Sequence, residues 1–270
     1  MWLFTAASLL AIGLGAIVMS RHGVDLGIYI RNPIAWLVSG AIAILLARRG
    51  WLIGIATPLA LVVIALSLIG PEQEGVHRWL GAGPIQLNAA ALVLPLAIAA
   101  FMRERWWLAA PCFLLIVGLL AWQPDISQLA GFVLAATILC ASRFGLPGAI
   151  VTPVLAVAAL AACLLLRPDP LLPVPHVEGI VFLAFSETPI IATGMTVSLA
   201  LAALSPLLTW PIPAARPAAL ALTAYFGATS LAFLLGAYPV PLAGYGLSFV
   251  AGWWLGFAAL AIPKTGARQG

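Results

Sequence analysis

The chain is 270 residues long, 64% of its residues are hydrophobic, and only 7% are Asp, Glu, Lys or Arg. A soluble domain carries about a quarter charged residues, so this composition excludes a water-soluble globular protein. The formal charge of +4 is no sign of nucleic-acid binding, because basic residues in a membrane chain serve to orient its spans. Cys112, Cys140 and Cys163 lie in apolar runs without CxxC spacing, which favours packed thiols over disulfides or a metal site.

Ten apolar runs follow one another, most of them near the roughly 20 residues that a membrane-spanning helix needs. They cover residues 2–19, 33–47, 51–70, 86–102, 106–122, 128–142, 147–166, 180–209, 217–236 and 246–263. No basic segment precedes the first run, which favours a span over a cleaved signal peptide. Because short connections marked by Pro and Gly join the runs, the sequence predicts an all-α polytopic membrane protein of about ten helices in one transmembrane domain, residues 1–270.

The eighth run is long enough to contain a break. Pro189 removes a backbone donor, so we predict a kink or break soon after Glu187, with Ser186 or Thr188 satisfying the freed backbone groups. A carboxylate about two turns inside a span usually faces a polar cavity or a partner. On a continuous helix Glu178 and Glu187 would point to opposite faces, whereas a break would allow them to form one site.

Basic residues are unequally divided between the two ends of the predicted spans. With an even number of spans, both termini share a side, and that side carries Arg48, Arg49, Arg103, Arg105, Arg143, Arg216, Lys264 and Arg268. The opposite side carries Arg21, Arg31, Arg78 and Arg167. Cytoplasmic connections are enriched in Lys and Arg, so we predict that both termini are cytoplasmic. All three histidines and most acidic residues then lie outside, where we expect the chemistry.

Four polar blocks occur on the outer side. They contain Gly75, Arg78, Trp79, Gly83 and Pro84; then Gln123, Pro124 and Asp125; then His176, Val177, Glu178 and Glu187; and last Pro239, Pro241, Tyr245, Gly246 and Ser248. In this order the blocks resemble motifs of the SEDS family, the RodA, FtsW and SpoVE group of bacterial cell-shape, elongation and division proteins. The resemblance covers most of the chain and implies a SEDS-like bundle in the bacterial inner (cytoplasmic) membrane.

The chain departs from the family pattern at two places. The family continues its first block with a Q-P-S-E-x-x-K segment, whereas the corresponding positions here are Asn88, Ala89, Ala90, Ala91 and Leu94. Both the Glu and the Lys of that segment are therefore missing, at Ala91 and Leu94. The family's outer aspartate, which is taken as catalytic, is Glu178 here.

The resemblance implies a SEDS-type peptidoglycan glycosyltransferase that polymerises a polyprenyl-linked disaccharide into glycan on the outer leaflet. This reaction needs a base at the acceptor hydroxyl and positive charge near the departing diphosphate. Glu178 suits the base, because an apolar boundary raises the pKa of a carboxyl group, and Arg78 or Arg167 suits the diphosphate. A divalent cation between Glu178 and the diphosphate is an alternative. The other residues expected to bind substrate are Trp79, Asp125, His176, Glu187 and Tyr245.

Each of these residues also has a structural interpretation. Arg78 and Trp79 are typical of a helix end at the membrane interface, Asp125 is a favoured helix N-cap, and Tyr245 belongs to a Pro- and Gly-rich turn expected to be re-entrant or tightly packed.

Two other functions stay open. A non-catalytic SEDS-like scaffold that binds a partner, such as a single-span transpeptidase, or a lipid is favoured by the lost Glu and Lys. A flippase or transporter is less favoured, because Glu187 is the only charged residue within the predicted spans and an ion-coupled carrier needs more.

The predicted orientation is tested by reporter fusions. A reporter fused after Gly270 is expected to be active as a cytoplasmic protein, and one inserted in loop 167–175 as an extracytoplasmic protein, because of the eight-to-four distribution of basic residues. Protease protection of the same fusions in spheroplasts serves as the control. Opposite labelling at either site would contradict the topology.

Overall fold

The computed structural model describes residues 2–49, 51–82 and 85–261, which form a helical bundle with one β-hairpin. The helices are α1 (Trp2–Arg21), α2 (Leu26–Tyr29), α3 (Arg31–Arg49), α4 (Ala56–Leu66), α5 (Ala89–Ala100), α6 (Trp106–Trp122), α7 (Ile126–Phe144), α8 (Leu146–Leu166), α9 (Ile180–Glu187), α10 (Pro189–Leu204), α11 (Arg216–Leu231) and α12 (Leu247–Ala261). The hairpin pairs β1 (Trp79–Ala82) with the antiparallel β2 (Ile85–Asn88).

Ten apolar helical stretches occur within the described residues. Six are long and apolar enough to cross a membrane, namely Trp2–Arg21, Leu26–Ala47, Ile126–Phe144, Leu146–Leu166, Pro189–Thr209 and Pro213–Leu234. Four shorter ones are Ala56–Ile69, Ala89–Arg103, Trp106–Trp122 and Leu247–Ala261. They correspond to the ten predicted runs, and the prediction of an all-α polytopic membrane protein is confirmed. The last two residues of the tenth run, 262 and 263, lie outside the described residues.

Helix α5 occupies the centre of the bundle. Every residue of it except Leu92 is buried, and it packs against α4, α7, α11 and most extensively α12. The contact with α12 depends on Gly252, where an added Cβ would lie 2.0 Å from the Ala91 carbonyl oxygen, and on Gly256, where one would lie 2.9 Å from Pro95 Cβ. Small residues four apart let two membrane helices approach closely. The start of α5 is thereby held in a defined place.

The β-hairpin was not predicted. The fourth apolar run was expected to be helical from residue 86, but residues 85–88 form β2, with Trp79 opposite Asn88, and α5 begins at Ala89. The helix starts there because the Asn88 side-chain oxygen accepts a hydrogen bond from Ala91 N at 2.8 Å, as an N-cap does. Gly83 and Pro84 of the first polar block lie outside the described residues.

The predicted break in the eighth run is confirmed. α9 ends at Glu187, Thr188 is extended with φ −153° and ψ 144°, and α10 starts at Pro189. Thr188 Oγ1 accepts a hydrogen bond from Ile191 N at 3.2 Å, which satisfies one of the free donors at the new helix start. Ser186 Oγ donates to the Leu183 carbonyl oxygen at 2.7 Å. The apolar run is therefore two helices that meet at Glu187.

The turn at residues 238–248 is packed into the bundle, as expected for a connection that must satisfy its own polar groups. Val240, Leu242 and Ala243 are buried, and α1 passes so close that a Cβ on Gly15 would lie 2.0 Å from the Ala243 carbonyl oxygen. The buried Asn32 side chain donates to the carbonyl oxygen of Gly244 at 2.8 Å and accepts from Gly246 N at 3.2 Å. The Asn32 side-chain amide thus forms hydrogen bonds with backbone groups of the turn that would otherwise be buried without a partner.

The close approach of α1 to this turn can be tested with two glycines of one helix. Gly15→Ala is expected to lower the free energy of unfolding in detergent by about 1–3 kcal/mol, because its methyl group collides with backbone. The loss is measured as a lower melting temperature of the purified protein. Gly13→Ala is the matched control, since nothing lies within 4 Å of its added Cβ and alanine favours helix. Equal melting temperatures for the two variants would contradict this packing.

Candidate functional site

A polar cavity of about 230 Å³ lies where α5 and α7 begin. The hairpin, the loop between α8 and α9 and the turn before α12 form its other walls. It is lined by Gln73, Arg78, Trp79, Gln86, Asn88, Asp125, Ser127, Leu171, Val174, Val177, Glu178, Ala237, Pro239, Tyr245, Gly246, Leu247, Ser248 and Phe249. The structure therefore brings residues from all four polar blocks to one site, among them the predicted Arg78, Trp79, Asp125, Glu178 and Tyr245.

Arg78 is a buried cation on the wall of this cavity. Its side chain is only 5% exposed, and one terminal nitrogen lies 2.6 Å from an Asp169 carboxylate oxygen. The other lies 3.8 Å from an Asp125 oxygen, on a side chain that is 2% exposed. The guanidinium also lies over the Trp79 ring, 5.1 Å from its centroid. A buried charge is costly unless it is paired, so these partners explain how Arg78 can lie inside the bundle.

Asp125 has two roles. Its Oδ1 accepts a hydrogen bond from Gln128 N at 3.2 Å, which caps α7, so the predicted N-cap is confirmed. Its Oδ2 accepts a hydrogen bond from Asn88 Nδ2 at 2.9 Å. Asn88 caps α5 through its oxygen and binds Asp125 through its nitrogen, and it therefore joins the starts of the two helices beside Arg78.

Glu178 lies in the loop before α9, on the same cavity. Its Oε2 accepts a hydrogen bond from Val174 N at 2.6 Å, and the Glu178 amide donates to the Val174 carbonyl oxygen at 3.0 Å. Burial raises the pKa of the Glu178 carboxyl above its usual value, although the hydrogen bonds from backbone N–H groups oppose this shift. Glu178 is therefore a positioned carboxylate that gains a proton more readily than an exposed glutamate.

Two of the polar loops are fastened to each other by backbone hydrogen bonds. Tyr245 N donates to the His176 carbonyl oxygen at 3.1 Å, and Val240 N donates to the Val177 carbonyl oxygen at 3.2 Å. A Cβ on Gly244 would lie 2.3 Å from that same Val177 oxygen. The turn before α12 thus fixes the loop that carries Glu178.

The remaining predicted residues do not line this cavity. Arg167 stacks on Trp122, with its guanidinium carbon 4.0 Å from the ring centroid. His176 contributes its backbone carbonyl group to the Tyr245 contact, and burial lowers the pKa of its imidazole. The side chains of Arg167, His176 and Glu187 are all absent from the cavity wall. Glu187 belongs to a separate cluster.

Glu187 lies beside the last residue of α1. Its carboxylate is 3.1 Å from an Arg21 nitrogen and 3.7 Å from His22 Nδ1. The break at Pro189 therefore places Glu187 at a helix junction that is fastened to α1. The structure does not join Glu178 and Glu187 into a two-carboxylate site.

The protein ligands around Arg78 do not fit a divalent cation held by the chain alone. Within the described residues, no group of three or more His, Cys, Asp or Glu side chains has the arrangement of a metal site. The oxygens of Asp125 and Asp169 already accept hydrogen bonds from Asn88, Gln128 N, Arg78 and Leu171 N. A cation bound here would need most of its ligands from a substrate.

Three residues of the site were missed in the sequence. Asp169 is the nearest partner of Arg78, Asn88 joins two helix starts, and Asn32 holds the turn that carries Tyr245. Asp169 follows Pro168 in loop 167–175, which is predicted to lie outside, so an acidic residue in an outer loop was the available signal. Asn88 was noted in the sequence only because it differs from the first residue of the Q-P-S-E-x-x-K segment, and its role as a helix cap was not predicted.

The pairing of Arg78 can be tested by measuring unfolding in detergent. Arg78→Gln is expected to lower the free energy of unfolding by about 3–5 kcal/mol, because Asp169 and Asp125 remain buried without their cation. Arg21→Gln, which removes an ion pair from a half-exposed arginine, is expected to cost less than about 1 kcal/mol. Adding Asp169→Asn to Arg78→Gln should recover part of the loss; no recovery would contradict the proposed pairing.

Comparisons with known proteins place this geometry in a larger context. No family model matches the chain, and no curated protein matches its sequence. Solved structures match nearly its whole length. A mutant of the rod shape determining protein RodA from Thermus thermophilus has 21% identity and a TM-score of 0.71, with 97% of this chain and 96% of that one covered.

The unmutated Thermus thermophilus RodA has 22% identity, a TM-score of 0.68 and coverage of 97% and 95%. A chain of a peptidoglycan synthase complex, which coordinates polymerization and crosslinking, has 22% identity, a TM-score of 0.67 and coverage of 96% of each chain. The described helices therefore have the arrangement of RodA, the fold that the SEDS resemblance predicted, and the protein is a polytopic membrane protein of the RodA fold.

Proposed function

We propose that this chain is a SEDS-like protein of bacterial cell-wall synthesis in the inner membrane. We further propose that it polymerises lipid-linked disaccharide into glycan on the outer leaflet. The observation that carries the proposal is the cavity itself, because four blocks that are distant in the chain meet there on a RodA fold. A chance similarity of motifs would not bring Arg78, Asp125, Glu178 and Tyr245 to one place.

Glu178 is the proposed general base. Glu178 lies on the cavity wall, and the turn before α12 donates hydrogen bonds to the carbonyl groups of the two residues before it. Burial raises its pKa, which brings a base closer to the working pH. It would take the proton of the acceptor sugar hydroxyl as that oxygen attacks the anomeric carbon of the lipid-linked donor. The departing group is the polyprenyl diphosphate.

An apolar groove is the proposed place for the lipid tail of the donor. The groove has a volume of about 470 Å³ and is formed by α9, α10 and α11. Its lining starts at Val181, three residues after Glu178 in the chain, and we propose that the lipid tail of a donor with its sugar in the polar cavity extends into this groove. Because the tail leaves one apolar environment, the bilayer, for another, the groove would position the lipid and would add little hydrophobic free energy.

A single-span transpeptidase is the proposed protein partner. One solved structure with this fold is a chain of a peptidoglycan synthase complex in which polymerization and crosslinking are coordinated. Glycan strands made on the outer leaflet need crosslinking, which would couple the two activities in space.

A non-catalytic scaffold is the second candidate, and two observations favour it. Arg78 is already neutralised by Asp169 and Asp125, so a diphosphate would have to compete with two carboxylates for the nearest cation. Leu94, at the position of the family lysine, is fully buried in the core. The site is therefore poor in positive charge, which favours the scaffold. If the chain is a polymerase, we propose that a divalent cation bound to the diphosphate supplies the missing positive charge.

The test of catalysis is Glu178→Gln with purified protein and lipid-linked disaccharide, with glycan strands resolved on a gel. Polymerisation is expected to fall by about 100-fold or more, the range for a lost general base, while Glu178→Asp retains part of the activity. Glu187→Gln is the matched control, because Glu187 lies outside the cavity. Equal product from wild type and Glu178→Gln would exclude Glu178 as the base, whereas no glycan product from wild type would favour the scaffold.

The pH profile separates a base from a residue that only shapes the loop. The base must be ionised, so the wild-type rate should fall as the pH drops through the Glu178 pKa, which burial raises above the usual glutamate value. This acid limb should be absent from the residual activity of Glu178→Gln. Titration with Mg²⁺ and with EDTA at fixed pH tests the cation, and no response to either would remove it from the proposal.

A further inference from the structure

A second groove, distant from the polar cavity, lies between α6, α7 and α8. It has a volume of about 380 Å³, and its walls include Phe113, Val133, Phe144, Pro147 and Val151. Cys140 and Thr152 are its only lining residues with a sulfur or hydroxyl group in the side chain. The chemistry of the walls suits a hydrocarbon chain.

The groove has the length of one membrane leaflet. Along α8 its lining extends from Pro147 to Ala156, a span of nine helical steps or about 14 Å. The hydrocarbon core of a bilayer is about 30 Å thick, so the groove covers about half of it. It starts at the connection between α7 and α8, which is the end of the bundle opposite the polar cavity, because the cavity lies where α7 begins.

Positive charge and tryptophan surround the open end of this groove. Trp106 lies one helical turn before the groove residue Ala110 and packs edge-on against Phe144, with ring centroids 6.1 Å apart. Arg105, which is exposed, precedes it and has its guanidinium carbon 5.8 Å from the Trp107 ring centroid. Trp106 and Trp107 are both more than half exposed, as is typical of the interface between headgroups and acyl chains.

Among the residues that the structure describes, no acidic side chain forms a salt bridge with Arg105. The nearest carboxylate in the chain is Glu104, which is buried and turned toward α4, where its Oε1 accepts a hydrogen bond from Thr57 N at 2.8 Å. Arg143 donates to the carbonyl oxygens of Phe101 and Glu104 and so holds this connection together. Neither α6 nor α8 has a side-chain cap at its start, which adds to the positive potential.

We propose that this groove and Arg105 form a binding site for one anionic phospholipid of the leaflet at this end of the bundle. An acyl chain would lie between α6 and α8, and the phosphodiester headgroup would contact the Arg105 guanidinium beside Trp106. The site is separate from the polar cavity, and its occupancy does not depend on the proposed glycan chemistry. The acyl chain of a zwitterionic lipid would fill the groove equally well, but its headgroup, which has no net charge, would be attracted less strongly to the Arg105 guanidinium.

The site is tested by native mass spectrometry of the delipidated full chain in detergent. The first binding event is titrated with phosphatidylglycerol and, separately, with phosphatidylcholine of the same acyl chains. Wild type is expected to prefer phosphatidylglycerol, and Arg105→Gln to weaken its binding about fivefold, the effect of one basic residue near a charged headgroup. Val151→Trp, which fills the groove, should weaken both lipids.

Two matched controls make the result specific. Val154→Trp changes a residue of the same helix that is 64% exposed and outside the groove lining, and Arg216→Gln removes another exposed arginine that lies over a tryptophan, Trp210. Both are expected to bind phosphatidylglycerol like wild type. Equal affinities of wild type for the two lipids, an unchanged Arg105→Gln, or an equal loss in Arg216→Gln would each overturn the proposal.

Discussion

The burial of one guanidinium group constrains the polar half of this bundle. Arg78 is 5% exposed, and an isolated charge at such a position would cost several kcal/mol or more. It is retained because Asp169 and Asp125 lie against it, and each comes from a different element. The hairpin, the start of α7 and the loop after α8 must therefore meet at this point, and the cavity is the space that remains between them.

Close backbone contacts hold these elements in place. Inside a membrane, helices gain little from hiding apolar surface from one another, so packing and hydrogen bonds decide their arrangement. Gly252 brings α12 against α5, Gly15 brings α1 against the turn before α12, and Gly244 brings that turn against the loop of Glu178. A series of small residues thus connects the apolar core to the carboxylate proposed as the base.

The balance of charge in the cavity separates the two functional hypotheses. Asp125 and Glu178 line the cavity, Asp169 is paired with Arg78, and these three carboxylates outnumber the one guanidinium group. The position of the family lysine is the buried Leu94. An anionic diphosphate is repelled by such a set unless it brings its own cation. A scaffold has no such requirement. The polymerase hypothesis, with Glu178 as the proposed base, therefore requires a substrate that arrives with compensating charge.

The amino-acid sequence alone determined the class of protein, the ten apolar stretches and the break before Pro189, because these depend on local hydrophobicity and on one missing backbone donor. It also indicated which outer loops carry polar chemistry. Only the tertiary structure decided that Asp169, 91 residues away, pairs with Arg78, that residues 85–88 form a strand, and that Glu187 binds Arg21 beside α1. The physical reason is that a buried charge is stabilised by whichever opposite charge the fold brings near, and the spacing of residues along a chain carries no record of that distance.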